Sequence, residues 1–225
     1  MPFALKPASD HSLLISFGNE ISPAHHRQVY ALTQRLLTHP ASFICNLHPA
    51  YCSLLIAFDP LLSSLQEVEA YIRKVSDELA EAVLPAPRRV EIPVCYEEEF
   101  GIDLQDVAAH HHLTREEVIR LHASGEYRVY FLGFTPGFAY LGGLSPRLYT
   151  PRLLAPRTQV PAGSVAIGGQ QTGIYPMSTP GGWRIIGRTP LKLFASEKES
   201  PALLALGDEV RFAPISPREF EELSV

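Results

Sequence analysis

The chain has 225 residues, 46% of them hydrophobic and 19% charged, with a formal net charge of −5. That length holds one large domain or two small ones, and the composition is that of a folded chain, not a disordered one. The acidic balance argues against nonspecific nucleic-acid binding, no apolar run reaches the ~18 residues of a membrane span, and the first residues lack a signal-peptide pattern, so a cytoplasmic address is expected.

In chain order, "SLLISF" (12–17) predicts a strand. Ser22 as N-cap and Pro23 at the first helical position then open a helix over "PAHHRQVYALTQRLL". "SFICNLH" and "CSLLIAF" predict two strands joined around His48, Pro49, Ala50 and Tyr51. Ser64 and Glu67 form a capping box ahead of Leu65, Val68, Ile72, Val75 and Leu79 at helical spacing. The order βαββα is most of a split βαβ, so residues 1–84 read as a small ferredoxin-like domain.

Two prolines in "LPAPRR" break the pattern, which places a linker at 85–89 and a second domain at 90–225. "VEIPVCY" opens that domain as a strand, and two short helices follow, the second starting at a Thr114/Glu117 capping box and ending near Gly125. From "EYRVYFLGF" onward, short apolar runs such as "SVAIGG", "WRIIG" and "LKLFA" alternate with Gly and Pro, the pattern of a closed or strongly bent β structure. "LGDEVRFAPI" supplies a last strand, and Ser216, Pro217 and Glu219 cap a final short helix. The fold class expected is α+β.

Cys45, Cys52 and Cys95 form no CxxC pair and read as small hydrophobes, not as a disulfide framework or zinc knuckle. Consecutive helical residues point about 100° apart, so His110, His111 and His112 cannot converge on one metal ion. No metal site is expected, and His110 is retained as a candidate general base. Gly168 and Gly173 have P-loop spacing, but Ile174 and Tyr175 stand where Lys and Ser/Thr belong. Ser164 lacks the spacing of a nucleophile elbow and reads as a turn serine.

Between Tyr127 and Ser196 there is no Asp or Glu, yet Arg128, Arg147, Arg152, Arg157, Arg184, Arg188 and Lys192 all fall there. Such a Gly-rich, acid-free stretch suits an anion site, or equally a set of solvated charges at strand ends. Gln171, Thr172 and Tyr175 beside glycines suit hydrogen bonding to an amide or carboxylate, or a capped turn. Trp183 after "PGG" is a large anchor for a core or a partner surface.

"EYRVYFLGFTPGFAYLGGL", "PRLLAPRTQVPAGSVAIGGQQTGIYPMSTPGGWRIIGRTPL" and "LLALGDEVRFAPI", with "VEIPVCYEEEFGIDLQDVAAHH" upstream, closely resemble the KipI-type family. That family includes B subunits of bacterial 5-oxoprolinase, a sporulation-kinase inhibitor, and proteins formerly labelled allophanate hydrolase subunit 1. The resemblance implies a small α+β domain followed by a cyclophilin-like β-barrel. It also implies partnership with the A and C subunits of that enzyme, the latter larger and related in fold, to cleave the cyclic amide 5-oxoproline to glutamate. ATP and Mg²⁺ would act at the level of the complex, and the chain would be inert alone.

Inside the matching block, residue chemistry nominates Arg157 for the substrate carboxylate and Gln171, Thr172 and Tyr175 for the lactam. The alternative is a regulatory protein that docks on a histidine kinase and blocks its autophosphorylation. Phe134, Phe138, Tyr140 and Trp183 would then be interface residues. Where many family members read like "YGGEFGPDL", this chain has "YEEEFGIDL" at 96–104, so the loop geometry is expected to differ. Biotin-carboxylase and biotin-carrier sequences are missing from this chain, which makes urea carboxylation a weak third choice.

Overall fold

The computed structural model describes residues 3–78 and 86–224. The chain divides into two compact units, Met1–Ala86 and Pro87–Val225.

The first unit runs β1 (Ala4–Ser9), β2 (Ser12–Ser16), α1 (Pro23–Thr38), β3 (Ile44–Pro49), β4 (Ser53–Phe58) and α2 (Leu65–Glu78). Its antiparallel sheet has the order β1-β2-β4-β3. The caps explain the helix starts: the Ser22 side chain accepts from the His25 N–H, and Glu67 accepts from the Ser64 N–H at 2.7 Å. Leu13 and Ile15 of β2 and Leu54 and Ile56 of β4 point to one face, where they meet Val29, Leu32 and Leu36 of α1 and Val68 and Ile72 of α2.

The strands β2, β3 and β4 with α1 form the expected split unit, β4 lying between β2 and β3. In a ferredoxin-like order a strand following the second helix would lie at the edge beside β2; β1 occupies that edge here, from the start of the chain. "ALKPAS" gives no strand signal because an edge strand, almost wholly exposed and carrying Pro7, has no apolar alternation to display. Leu79 lies outside the described residues.

The second unit contains β5 (Arg89–Val94), α3 (Leu104–His110), α4 (Arg115–Ala123), β6 (Tyr127–Leu132), β7 (Ala139–Gly142) and β8 (Arg157–Val160). There follow β9 (Ser164–Gly168), β10 (Gln171–Ile174), β11 (Thr179–Gly181), β12 (Arg184–Arg188), β13 (Glu209–Pro214) and α5 (Pro217–Leu223). Seven strands form one sheet in the order β12-β9-β10-β7-β6-β13-β5. Its two edges meet where Cys95 and Arg188 exchange backbone hydrogen bonds of 2.8 and 2.9 Å, so the sheet nearly closes into a barrel.

Inside lie Ile92, Val129, Leu141, Val165, Ile167 and Phe212, with Leu104 and Val107 of α3 and Val118 of α4 in the same core. β8 and β11 pair only with each other. Val160 of β8 joins a second apolar cluster with Phe138, Ala166, Tyr175, Trp183 and Ile185. "LKLFA" forms no strand; within it Phe194 makes one isolated bridge to Ala202. Among the described residues no helix is long and apolar enough to cross a membrane.

Candidate functional site

The segment Gly133–Phe138 is built from two turns. The Thr135 N–H donates to Gly133 O at 2.9 Å, closing a γ-turn around Phe134, whose φ is +70°. This hand of γ-turn is rare, and a non-glycine residue held there stores about 1–3 kcal/mol of strain. Next, the Phe138 N–H donates to Thr135 O at 3.0 Å across Pro136 and Gly137, the latter at φ +83°, which makes a type II turn. As a result Phe134 is 62% exposed while Phe138 is buried.

Between these turns and the β8/β11 ribbon lies a pocket walled by Phe134, Phe138, Tyr140, Tyr175 and Trp183. The rings meet edge to face: Phe138 lies 5.5 Å from Trp183 and 5.2 Å from Tyr175, and Tyr140 lies 5.9 Å from Trp183. Glycines make room for them, since a Cβ on Gly168 would fall 2.4 Å from the Trp183 ring and one on Gly181 2.4 Å from the Tyr175 hydroxyl. Arg152 completes the wall, its guanidinium 5.6 Å from the Trp183 ring centroid. Burial raises the pKa of Tyr140 and of Tyr175, Arg152 offsetting part of the rise, so both hydroxyls remain protonated.

Four of the seven cations of the acid-free stretch find carboxylates elsewhere in the chain. Arg128 pairs with Glu209 at 2.7 Å, Arg184 with Asp106 at 3.4 Å and Lys192 with Glu197 at 2.9 Å. Arg157 is bound at both ends by Asp103, at 2.6 and 2.9 Å. Asp103 stands at the N-cap of α3 but makes no side-chain cap bond; its carboxylate instead holds Arg157 and accepts the Ile185 N–H at 2.7 Å. The expected substrate-binding Arg157 thus ties β8 to the start of α3, which Asp103 in turn ties to β12. Arg152, by contrast, has no carboxylate partner among the described residues.

The remaining nominated residues separate. Alternation along β10 sends Thr172 and Tyr175 to opposite faces. Thr172 is fully buried and donates to Ala166 O at 3.0 Å, so it accepts from His122 Nε2–H at 3.0 Å. That leaves His122 Nδ1 to accept from the Tyr96 hydroxyl at 2.8 Å, while the Tyr127 hydroxyl donates to His122 O at 2.7 Å. Burial lowers the His122 pKa to about 3 and raises those of both tyrosines well above the usual phenol range. Gln171 is buried, with no hydrogen-bond partner for Nε2 among the described residues.

His110 sits elsewhere, exposed at the end of α3 in a cleft with Asp106, Thr150, Pro151 and Arg184. Its neighbour His111 contacts Thr150 Oγ1 at 3.0 Å, and burial lowers the His111 pKa. The structure therefore gathers Phe134, Phe138, Tyr140, Trp183 and Tyr175 at one pocket, and it places His110, Arg157, Gln171 and Thr172 outside its lining. Among the described residues no group of three or more His, Cys, Asp or Glu side chains could hold a metal ion. Sequence reasoning misses the roles of Arg152, Asp103 and His122. Arg152 is visible only as one of seven cations, and what sets it apart is its place in the pocket lining without a carboxylate partner among the described residues.

Residues 3–204 match the family described as carboxyltransferase domain, subdomain C and D. The B subunit of 5-oxoprolinase from Bacillus subtilis (strain 168) is 41% identical over 228 residues, covering 97% of this chain and 95% of that protein. Its counterpart of the same name from Escherichia coli O157:H7 is 44% identical over 204 residues, covering 90% of this chain and 92% of that protein. The crystal structure of TTHA0988 superposes with a TM-score of 0.82 at 38% identity, covering 91% of this chain and 40% of that longer one.

Proposed function

We propose, from the premise that this chain belongs to the carboxyltransferase-domain family of subdomains C and D, that it is the B subunit of an ATP-dependent 5-oxoprolinase. The observation that carries this reading is the match to proteins named as B subunits of 5-oxoprolinase along nearly their whole length. Within such an enzyme the chain works with the A and the larger C subunits, while ATP and Mg²⁺ act in the assembled complex. The barrel is read as cyclophilin-like.

The chemistry asks for little from this chain alone. An unstrained lactam resists water; phosphoryl transfer from ATP to its carbonyl oxygen releases ADP and activates the carbon, water adds there, the C–N bond breaks as the nitrogen takes a proton, and hydrolysis of the resulting acyl phosphate releases phosphate and glutamate. Tyr175 is the nominated hydrogen-bonding residue that lines the aromatic pocket. His110 is proposed as the base at the neighbouring cleft, and Arg157, by holding Asp103, positions the helix that carries it.

The test is release of ADP and glutamate from ATP and 5-oxoproline by the three subunits together, each omitted in turn. Turnover is expected to vanish when this chain is left out; turnover without it overturns the reading. Docking on a histidine kinase is the second reading, favoured by the exposed Phe134 ring at the pocket mouth. Under that reading Phe134→Ala weakens the kinase complex, and an unaffected complex counts against it.

A further inference from the structure

We infer that the aromatic pocket binds a small ring bearing a carboxylate, the 5-oxoproline molecule itself, with Arg152 receiving the carboxylate. The assignment rests on the 5-oxoprolinase reading and adds to it a location and a cation different from Arg157.

Three observations carry it. The first is charge. Of the seven cations in the acid-free stretch, Arg128, Arg157, Arg184 and Lys192 are paired with carboxylates; of the other three, Arg147, Arg152 and Arg188, it is Arg152 that lines the cavity, whose walls contain no Asp or Glu. Its guanidinium carbon lies over the Trp183 ring, a contact with the π-face that engages no hydrogen-bond acceptor, and a guanidinium recognises a carboxylate through its N–H donors.

The second is size and lining. At about 170 Å³ the cavity falls below the range of roughly 300–1,000 Å³ typical of drug-sized ligands, so it suits one small ring and not a nucleotide. Five aromatic side chains provide apolar walls for the methylene edge of such a ring. The protonated hydroxyl of Tyr175 offers a neutral donor to its amide oxygen.

The third is strain. Phe134 is held in a rare γ-turn with its ring exposed at the mouth of this pocket, a place where the fold retains an unfavourable backbone. A ligand ring beneath Phe134 would cover that exposed surface.

Trp183 is the single tryptophan of the chain, so intrinsic fluorescence reads the pocket directly. The full chain is titrated with L-5-oxoproline and with 2-pyrrolidinone, the same ring without the carboxylate. A saturable Trp183 response to the acid is expected, with 2-pyrrolidinone weaker by about tenfold, the scale of one charge-assisted hydrogen bond. Arg152→Gln should weaken 5-oxoproline by a similar factor and leave 2-pyrrolidinone unchanged; Arg152 is exposed, so the variant should fold, and circular dichroism checks that it does. A silent Trp183 together with an unchanged KM of the reconstituted Arg152→Gln enzyme overturns the assignment. So does a response that Arg152→Gln leaves intact. Turnover that needs this chain, with Trp183 silent and KM unchanged by Arg152→Gln, overturns the pocket and spares the chain's role in the enzyme. A Trp183 response without turnover in the complete mixture does the reverse.

Discussion

Asp103 grips Arg157 with both carboxylate oxygens, 54 residues away in sequence, and its own backbone N–H returns to Ile185 O at 2.8 Å. With Asp103 only 3% exposed, taking the arginine away strands a buried charge. Arg157→Gln is therefore expected to destabilise the protein by about 3 kcal/mol. Urea unfolding measures this, and the double variant with Asp103→Asn should lose less than the sum of the two single changes. The Trp183 response to 5-oxoproline should persist in folded Arg157→Gln protein. A stable Arg157→Gln protein that no longer responds would return the carboxylate to Arg157.

Phe134→Gly should raise stability. Glycine adopts φ +70° without the Cβ clash, and the exposed phenyl ring gives up little buried surface. A gain of about 1 kcal/mol is expected in thermal or urea unfolding, accompanied by weaker 5-oxoproline binding. A loss of stability would show that the ring, and not the backbone, dominates at this position.

Thr172→Val keeps the shape of the side chain and removes its hydroxyl, leaving His122 Nε2–H without an acceptor inside the barrel. A cost of about 1–3 kcal/mol follows, with KM for 5-oxoproline unchanged in the reconstituted enzyme. If KM rises instead, Thr172 belongs with the substrate after all.

His122 makes the barrel acid-sensitive. The unfolded chain takes a proton on this histidine below about 6.5, the folded one only near 3, so stability present at neutral pH is lost progressively between those values. Unfolding free energy measured against pH should show this slope, and His122→Gln should flatten it. An unchanged slope would assign the acid loss to other groups.

Much of this architecture is legible locally. The caps of α1, α2, α4 and α5 rest on residues three or four positions apart, within reach of a sequence reading. The βαβ core of the first unit follows from alternation in "SLLIS" and "SLLIAF", whereas β1 escapes because an exposed edge has no pattern to show. At the site, the aromatic residues are conspicuous in the sequence and do come together. Assigning the polar ones fails for two physical reasons. β9 and β10 are buried on both faces, so alternation cannot say that Thr172 looks inward while Tyr175 looks out. And which arginines are left without a carboxylate, and which of those faces the pocket, depends on groups that lie near in space and far along the chain.

Closure of the barrel bears on when the second unit can take shape during synthesis. β5 leads that unit, yet its partner in the sheet is β13, with Arg89 and Glu209 separated by 120 residues. Until β13 leaves the ribosome, β5 lacks its parallel partner and β6 lacks one neighbour. The first unit draws its sheet and both helices from residues before Ala86, so it can assemble while the rest is still being made. For the second, nascent strands must wait with their apolar faces uncovered, and the final stretch of translation decides between a sealed barrel and an aggregate.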